Sequence, residues 1–125
     1  MTFSQAIKSG FSNYVNFNGR ASRSAFWYWV LFAALVGIVA DVIDISVAPD
    51  DWTSSSFLFG RLWGFATLLP NLAVGARRLH DTDRSGFWLF IWFLPLIGVI
   101  LLIVWWCFKG TSGPNRFGLD PLAAP

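Results

Sequence analysis

The sequence predicts an all-α integral membrane protein, with three transmembrane helices preceded by an N-terminal amphipathic interfacial helix. Three observations carry that prediction. Charged residues are 13% of the 125-residue chain and hydrophobic residues 55%. A soluble domain carries about 25% charged residues to keep its surface hydrated. With mean hydropathy at +0.55, much of this surface has to face lipid. Three apolar stretches are each long enough for a helix crossing about 30 Å of hydrocarbon. Tryptophan and tyrosine gather near their ends, where amphipathic rings sit at headgroup level.

The chain reads as one membrane domain, 1–125. Residues 1–17 form the interfacial helix. Thr2 and Gln5 have the spacing of a capping box. Phe3, Ile7, Phe11, Tyr14 and Val15 recur at helical steps, with Ser4, Lys8, Ser12 and Asn13 on the other side. Such a helix is too polar to span and suited to the bilayer surface; packing on the protein itself is the alternative. Asn18-Gly19 ends it with a turn. The spans cover 24–46, 56–76 and 87–108. Trp27, Tyr28 and Trp29 open the first, Trp52 precedes the second, and Trp105 and Trp106 close the third. The run from Phe26 begins too far into the chain for a cleaved leader and reads as a retained anchor. An ordered tail, 109–125, follows.

Orientation follows from lysine and arginine. Lys8, Arg20 and Arg23 precede the first span, and Arg77, Arg78 and Arg84 lie between the second and third. The first loop has Asp50 and Asp51 and no basic residue. The positive-inside rule puts the N-terminus in the cytoplasm. Three spans then put the tail outside, with Lys109 and Arg116 against the rule.

Charges at membrane depth need a partner or a route to water. Asp41 and Asp44 end the first span and Arg61 starts the second, so a hairpin brings them level. An ion pair of Arg61 with Asp44 or Asp41 is expected. Gly60 and Gly64, and Ala33 and Gly37, are small residues four apart that suit helix association, within one chain or between two. Pro70 with Asn71 interrupts the second span, and Pro95 with Gly98 the third. Proline frees a carbonyl, and Asn71 is placed to satisfy one. Cys107 allows no intrachain disulfide and reads as a small packing or lipid-facing residue.

Arg77-Arg78-Leu79-His80-Asp81 closes the second span. Arg77 and Arg78 share a face with Asp81. His80 is able to titrate near neutral pH. Together with Arg20 and Arg23 these residues are candidates for binding lipid headgroups or partners, since guanidinium forks match phosphate.

The stretch from Phe17 to Arg23 running into Phe26-Trp27, Leu69 to Val74 leading to Arg77–Asp81 and Ser85-Gly86-Phe87-Trp88, and Lys109 to Thr111 with Gly113 to Gly118 and Asp120-Pro121 carry a resemblance over nearly the whole chain. The sequence resembles the bacterial inner-membrane family called domain of unknown function 805. The resemblance implies a multi-span protein of the bacterial inner (plasma) membrane and no assigned activity. Two positions depart from the family pattern. Ala25 stands where an acidic residue is common, and Asp83 stands where glycine is usual, so the second loop is expected to turn differently. In the tail signature Asn115, Arg116 and Asp120 stand out, and Arg116 and Asp120 are spaced to close an ordered turn. With three spans that turn lies across the membrane from Arg77–Asp81.

No nucleophile–base–orienter set is present, so no enzyme is expected. One histidine and one cysteine exclude the usual zinc sites, and no metal or other cofactor is expected. Basic residues are not interleaved with aromatics as nucleic-acid binding requires. The expected function is a small membrane subunit or scaffold that binds anionic lipid headgroups and other membrane proteins, itself or as a homo-oligomer. The alternative is an oligomeric channel or transporter for a small solute or ion, lined by Asn71, Arg61, Asp41 and Asp44.

Overall fold

The computed structural model describes residues 1–47 and 58–122. The loop with Asp50, Asp51 and Trp52 lies outside the described residues. Among the described residues the chain is helical with no strand. It has α1 (Phe3–Ser12), α2 (Arg23–Val47), α3 (Leu58–Asp81), a 3-10 helix (Gly86–Phe93) and α4 (Ile97–Cys107). By length and composition α2 is suited to cross a membrane; α4 is a shorter apolar helix.

α1 starts where the sequence places it. The Thr2 hydroxyl accepts from the Gln5 amide and the Gln5 side chain accepts from the Thr2 amide. The helix stops at Ser12, earlier than the predicted 17, because Asn13 turns its side chain back onto the Ser9 carbonyl. α1 packs on the start of α2 through its small residues. Ala6 and Gly10 are buried, and a Cβ on Gly10 would lie 2.1 Å from the Trp29 ring. Phe3 meets Tyr28 edge-on, and Phe11 meets Trp29 and Phe32.

α2 opens with the Ser22 hydroxyl accepting from the Ala25 amide, an N-cap that satisfies one free donor. It runs antiparallel to α3. Trp29 Nε1 donates to Asn71 Oδ1 at 2.8 Å, and Trp63 Nε1 to the Ala33 carbonyl at 2.9 Å. Pro70 lies inside α3 without ending it. Its missing N–H leaves the Ala66 carbonyl without a helical donor, and the Tyr14 hydroxyl donates to that oxygen. Asn71 therefore does not satisfy the freed carbonyl as expected; it is held by Trp29.

The expected Arg61 pair is also corrected. Among the described residues Arg61 makes no ion pair with Asp41 or Asp44. The Asp44 carboxylate instead accepts from the amides of Phe59 and Gly60, each at 3.0 Å. Those donors have no helical partner at the start of α3, and the positive end of the helix favours a carboxylate there. At Gly60 a Cβ would lie 2.2 Å from Asp41 Oδ1, so a larger residue there would displace that carboxylate; Gly64 touches nothing comparable.

The third apolar stretch is not the single helix expected over 87–108. It is two short legs that double back. Leu94 is extended, as a residue before proline prefers. Leu96 has φ 65° and ψ −61°, and the Ile97 amide donates to the Pro95 carbonyl at 2.8 Å, a γ-turn. A Cβ on Gly98 would lie 1.7 Å from the Ile91 carbonyl oxygen, so only glycine permits the reversal. The return is complete. Trp88 near the start of the first leg meets Trp105 near the end of the second, ring centroids 5.6 Å apart.

Candidate functional site: an arginine–aspartate clamp

α3 ends in a Schellman arrangement. The Arg84 amide donates to the Leu79 carbonyl and the Asp83 amide to the His80 carbonyl. Asp83 sits at φ 60°, the left-handed position that favours glycine. The aspartate thus adopts the conformation a glycine would supply. Its carbonyl and carboxylate are both held by Arg116.

This turn fixes Arg78, His80 and Asp81 against two other parts of the chain. The Ala21 amide donates to the Arg77 carbonyl at 3.0 Å, and the Thr111 amide to the Asp81 carbonyl at 2.7 Å. Asp81 then divides its carboxylate. Oδ1 receives Arg20 Nε at 2.9 Å and Oδ2 receives Arg78 Nη1. All three side chains are at most 4% exposed.

The remaining guanidinium donors reach backbone. Arg78 donates to the carbonyls of Ala21, Trp106 and Phe108. The last two are carbonyls at the C-terminal end of α4, where a helix lacks donors and attracts cations. Arg20 donates to the carbonyls of Thr111 and Gly113. Gly110 passes close beneath; a Cβ there would lie 2.0 Å from Asp81 Oδ2. Two buried cations and one anion thus hold the start of α2 and the ends of α3 and α4 to the tail. Burial of such a group is tolerated only where its donors and acceptors are matched.

The tail therefore packs directly on Arg77–Asp81, contrary to the expectation that they lie across the membrane. The reversal at Pro95–Gly98 is the reason. Asn115 donates to the His80 carbonyl at 2.9 Å and pairs backbone with Gly118. Arg116 pairs with Asp83 at 3.2 Å, not with Asp120 as expected. Asp120 accepts from the Gly113 and Leu122 amides, which hold its carboxyl below the usual range.

His80 stacks on Phe117, centroids 4.0 Å apart, and its Nδ1 lies 2.9 Å from the Gly19 carbonyl. In the neutral ring the Gly19 carbonyl selects the tautomer with the proton on Nδ1. Arg23 is exposed. Arg77 is buried with no protein partner for Nε. Of the six residues singled out for lipid or partner binding, the structure brings Arg20, Arg78 and Asp81 into one internal network. Their guanidiniums are bonded there to the Asp81 carboxylate and to backbone carbonyls. Thr111, Gly113 and Gly110 belong to the same network. The Gly-rich tail signature was the sequence signal for them, read without its contact.

A cavity of about 830 Å³ opens beside the clamp, between α3, the 3-10 helix and the tail. No cluster of three or more potential metal ligands occurs among the described residues.

Residues 14–119 match the family model described as "Protein of unknown function (DUF805)". The chain is 46% identical to Inner membrane protein YhaI of Escherichia coli K12, covering 87% of this chain and 88% of the relative. It is 38% identical to Inner membrane protein YhaH of the same organism, covering 90% and 93%. Uncharacterized protein YiiR, also of that strain, is 31% identical over 84% and 85%. No solved structure matches.

Proposed function

The chain belongs to the DUF805 family, with relatives named as inner membrane proteins, and from that premise we propose that it is a non-catalytic binding scaffold of the bacterial inner membrane with both termini in the cytoplasm. In this reading α2 and α3 are an antiparallel pair of spans. The 25 residues of α2 reach about 37 Å at 1.5 Å per residue. The third apolar stretch is a re-entrant hairpin. Its legs of eight and eleven residues each reach about 16 Å, half the hydrocarbon thickness.

A turn at that depth needs its amides bonded. The amides of Leu94, Ile97 and Gly98 donate to the carbonyls of Ile91, Pro95 and Leu94, Pro95 has none to satisfy, and of the turn's amides that of Leu96 makes no backbone hydrogen bond among the described residues. Charge supports one orientation. Lys8, Arg20, Arg23, Arg77, Arg78, Arg84, Lys109 and Arg116 fall at the clamp end, eight of the nine basic residues. Asp41 and Asp44 fall at the other end with Arg61. The inside rule then favours a cytoplasmic clamp, tail included.

The observation that carries the scaffold reading is the saturated Arg20–Asp81–Arg78 clamp. It ties the cytoplasmic ends of the membrane segments and the tail into one plate. Asn71 and Asp44 are held by Trp29 and by α3 amides, which weighs against a shared polar pore. The test is cysteine accessibility in a Cys107→Ser background. Ser4→Cys and Ser112→Cys should resist an impermeant maleimide in intact spheroplasts and react in inverted vesicles, while Ser54→Cys does the opposite. A tail cysteine labelled from outside sinks the topology. A closed homo-oligomer that conducts ions in liposomes sinks the scaffold.

A further inference from the structure

The cavity beside the clamp is graded from polar to apolar along one direction. Leu72, Ala76 and His80 line it from one face of α3, four residues apart. Eight residues of helix advance about 12 Å, so the wall passes from leucine to imidazole over that length, parallel to the helix axis. The opposite wall is apolar along its length. A 3-10 helix repeats every three residues, so side chains three apart eclipse. Phe87, Phe90 and Phe93 therefore form a ladder, with successive centroids 6.3 and 6.4 Å apart. These rings line the cavity and remain 64–78% exposed. A row of exposed phenyl rings needs an apolar neighbour.

The rim supplies one donor and one acceptor. Arg116 lines the cavity and bonds Asp83 through Nε and Nη2. His80 has its Nδ1 on Gly19, which leaves Nε2 as an acceptor. Gly86 keeps that nitrogen open, since a Cβ there would lie 3.3 Å from it.

We propose that this cavity seats one bilayer phospholipid, its phosphate at Arg116, a headgroup donor at His80 Nε2, and an acyl chain between Leu72 and the Phe87–Phe90–Phe93 ladder. The proposal rests on the membrane reading above, in which the gradient runs along the bilayer normal as a lipid does. A cavity of this size lies within the range of small-molecule sites, about 300–1,000 Å³.

The test uses the full chain in nanodiscs with a phosphatidylglycerol carrying a diazirine in mid-chain, and maps the cross-links by mass spectrometry. Adducts should concentrate at Leu72 and the 87–93 segment. Leu72→Trp, which narrows the cavity opposite the phenylalanine ladder, and Arg116→Gln should each lower them at least fivefold while labelling of Leu31, Ile38 and Val42 on α2 stays constant. Cavity labelling no greater than on α2, or unchanged in Leu72→Trp, overturns the seat and leaves the membrane reading standing. Absence of label on α2 as well overturns the membrane reading itself. A diacylglycerol probe that labels the cavity equally well overturns the phosphate contact.

Discussion

The two ends of the α2–α3 hairpin solve the same problem with different means. At one end a single buried carboxylate, Asp44, takes two amides of the adjacent helix. Its partners lie within about sixteen residues of it, and helix geometry supplies them. At the other end Arg20, Asp81 and Arg78 join segments up to ninety-three residues apart. There the charges satisfy backbone that no regular element satisfies. The first end needs one residue of the right type. The second needs three charges and a glycine in register, so it fails more completely when one is removed.

The sharpest break is Asp81→Asn, which leaves two buried guanidiniums without their anion. A loss of about 3–5 kcal/mol is expected, seen as a collapse of the thermal transition in detergent. Its neighbour sharpens the contrast. Arg77→Met should change the melting temperature little, because its Nε has no partner to lose. Next in size is Gly110→Ala, which drives a methyl into Asp81 Oδ2. Overpacking of this kind costs about 1–3 kcal/mol, and protease nicking of the tail should rise. At the other end Asp44→Ala removes a cap worth about 1–2 kcal/mol. A fall as large as that of Asp81→Asn would erase the distinction between the ends.

Smaller still is Tyr14→Phe, at about 1 kcal/mol for one lost hydrogen bond. A double-mutant cycle with Pro70→Ala tests the cause. The alanine restores a helical donor to the Ala66 carbonyl, so the tyrosine effect should shrink in that background.

Helices, caps and the family were legible in the residues, because they depend on neighbours one to four positions away. The Thr2–Gln5 box and the α2 span needed nothing else. Charge pairs were less legible. Asp44 was marked as needing a partner, but a carboxylate is satisfied by an arginine or by helix amides, and spacing does not choose between them. The third apolar stretch was misread for a related reason. Twenty-two apolar residues at 87–108 satisfy the length rule for a span, and Pro95 and Gly98 alone announce a bend.

Composition by itself determined that this chain belongs in an apolar phase, and the periodic and motif patterns determined its helices and its family. Only the tertiary structure decided where the third stretch goes and what the charges of the clamp touch. The reason is physical. Burial preference is a sum over residues and survives without contacts. The reversal at Pro95–Gly98 is permitted by one close backbone approach, and the clamp by carbonyls of Ala21, Trp106, Phe108, Thr111 and Gly113. Every residue carries such an oxygen, so no side-chain pattern marks which ones an arginine will find.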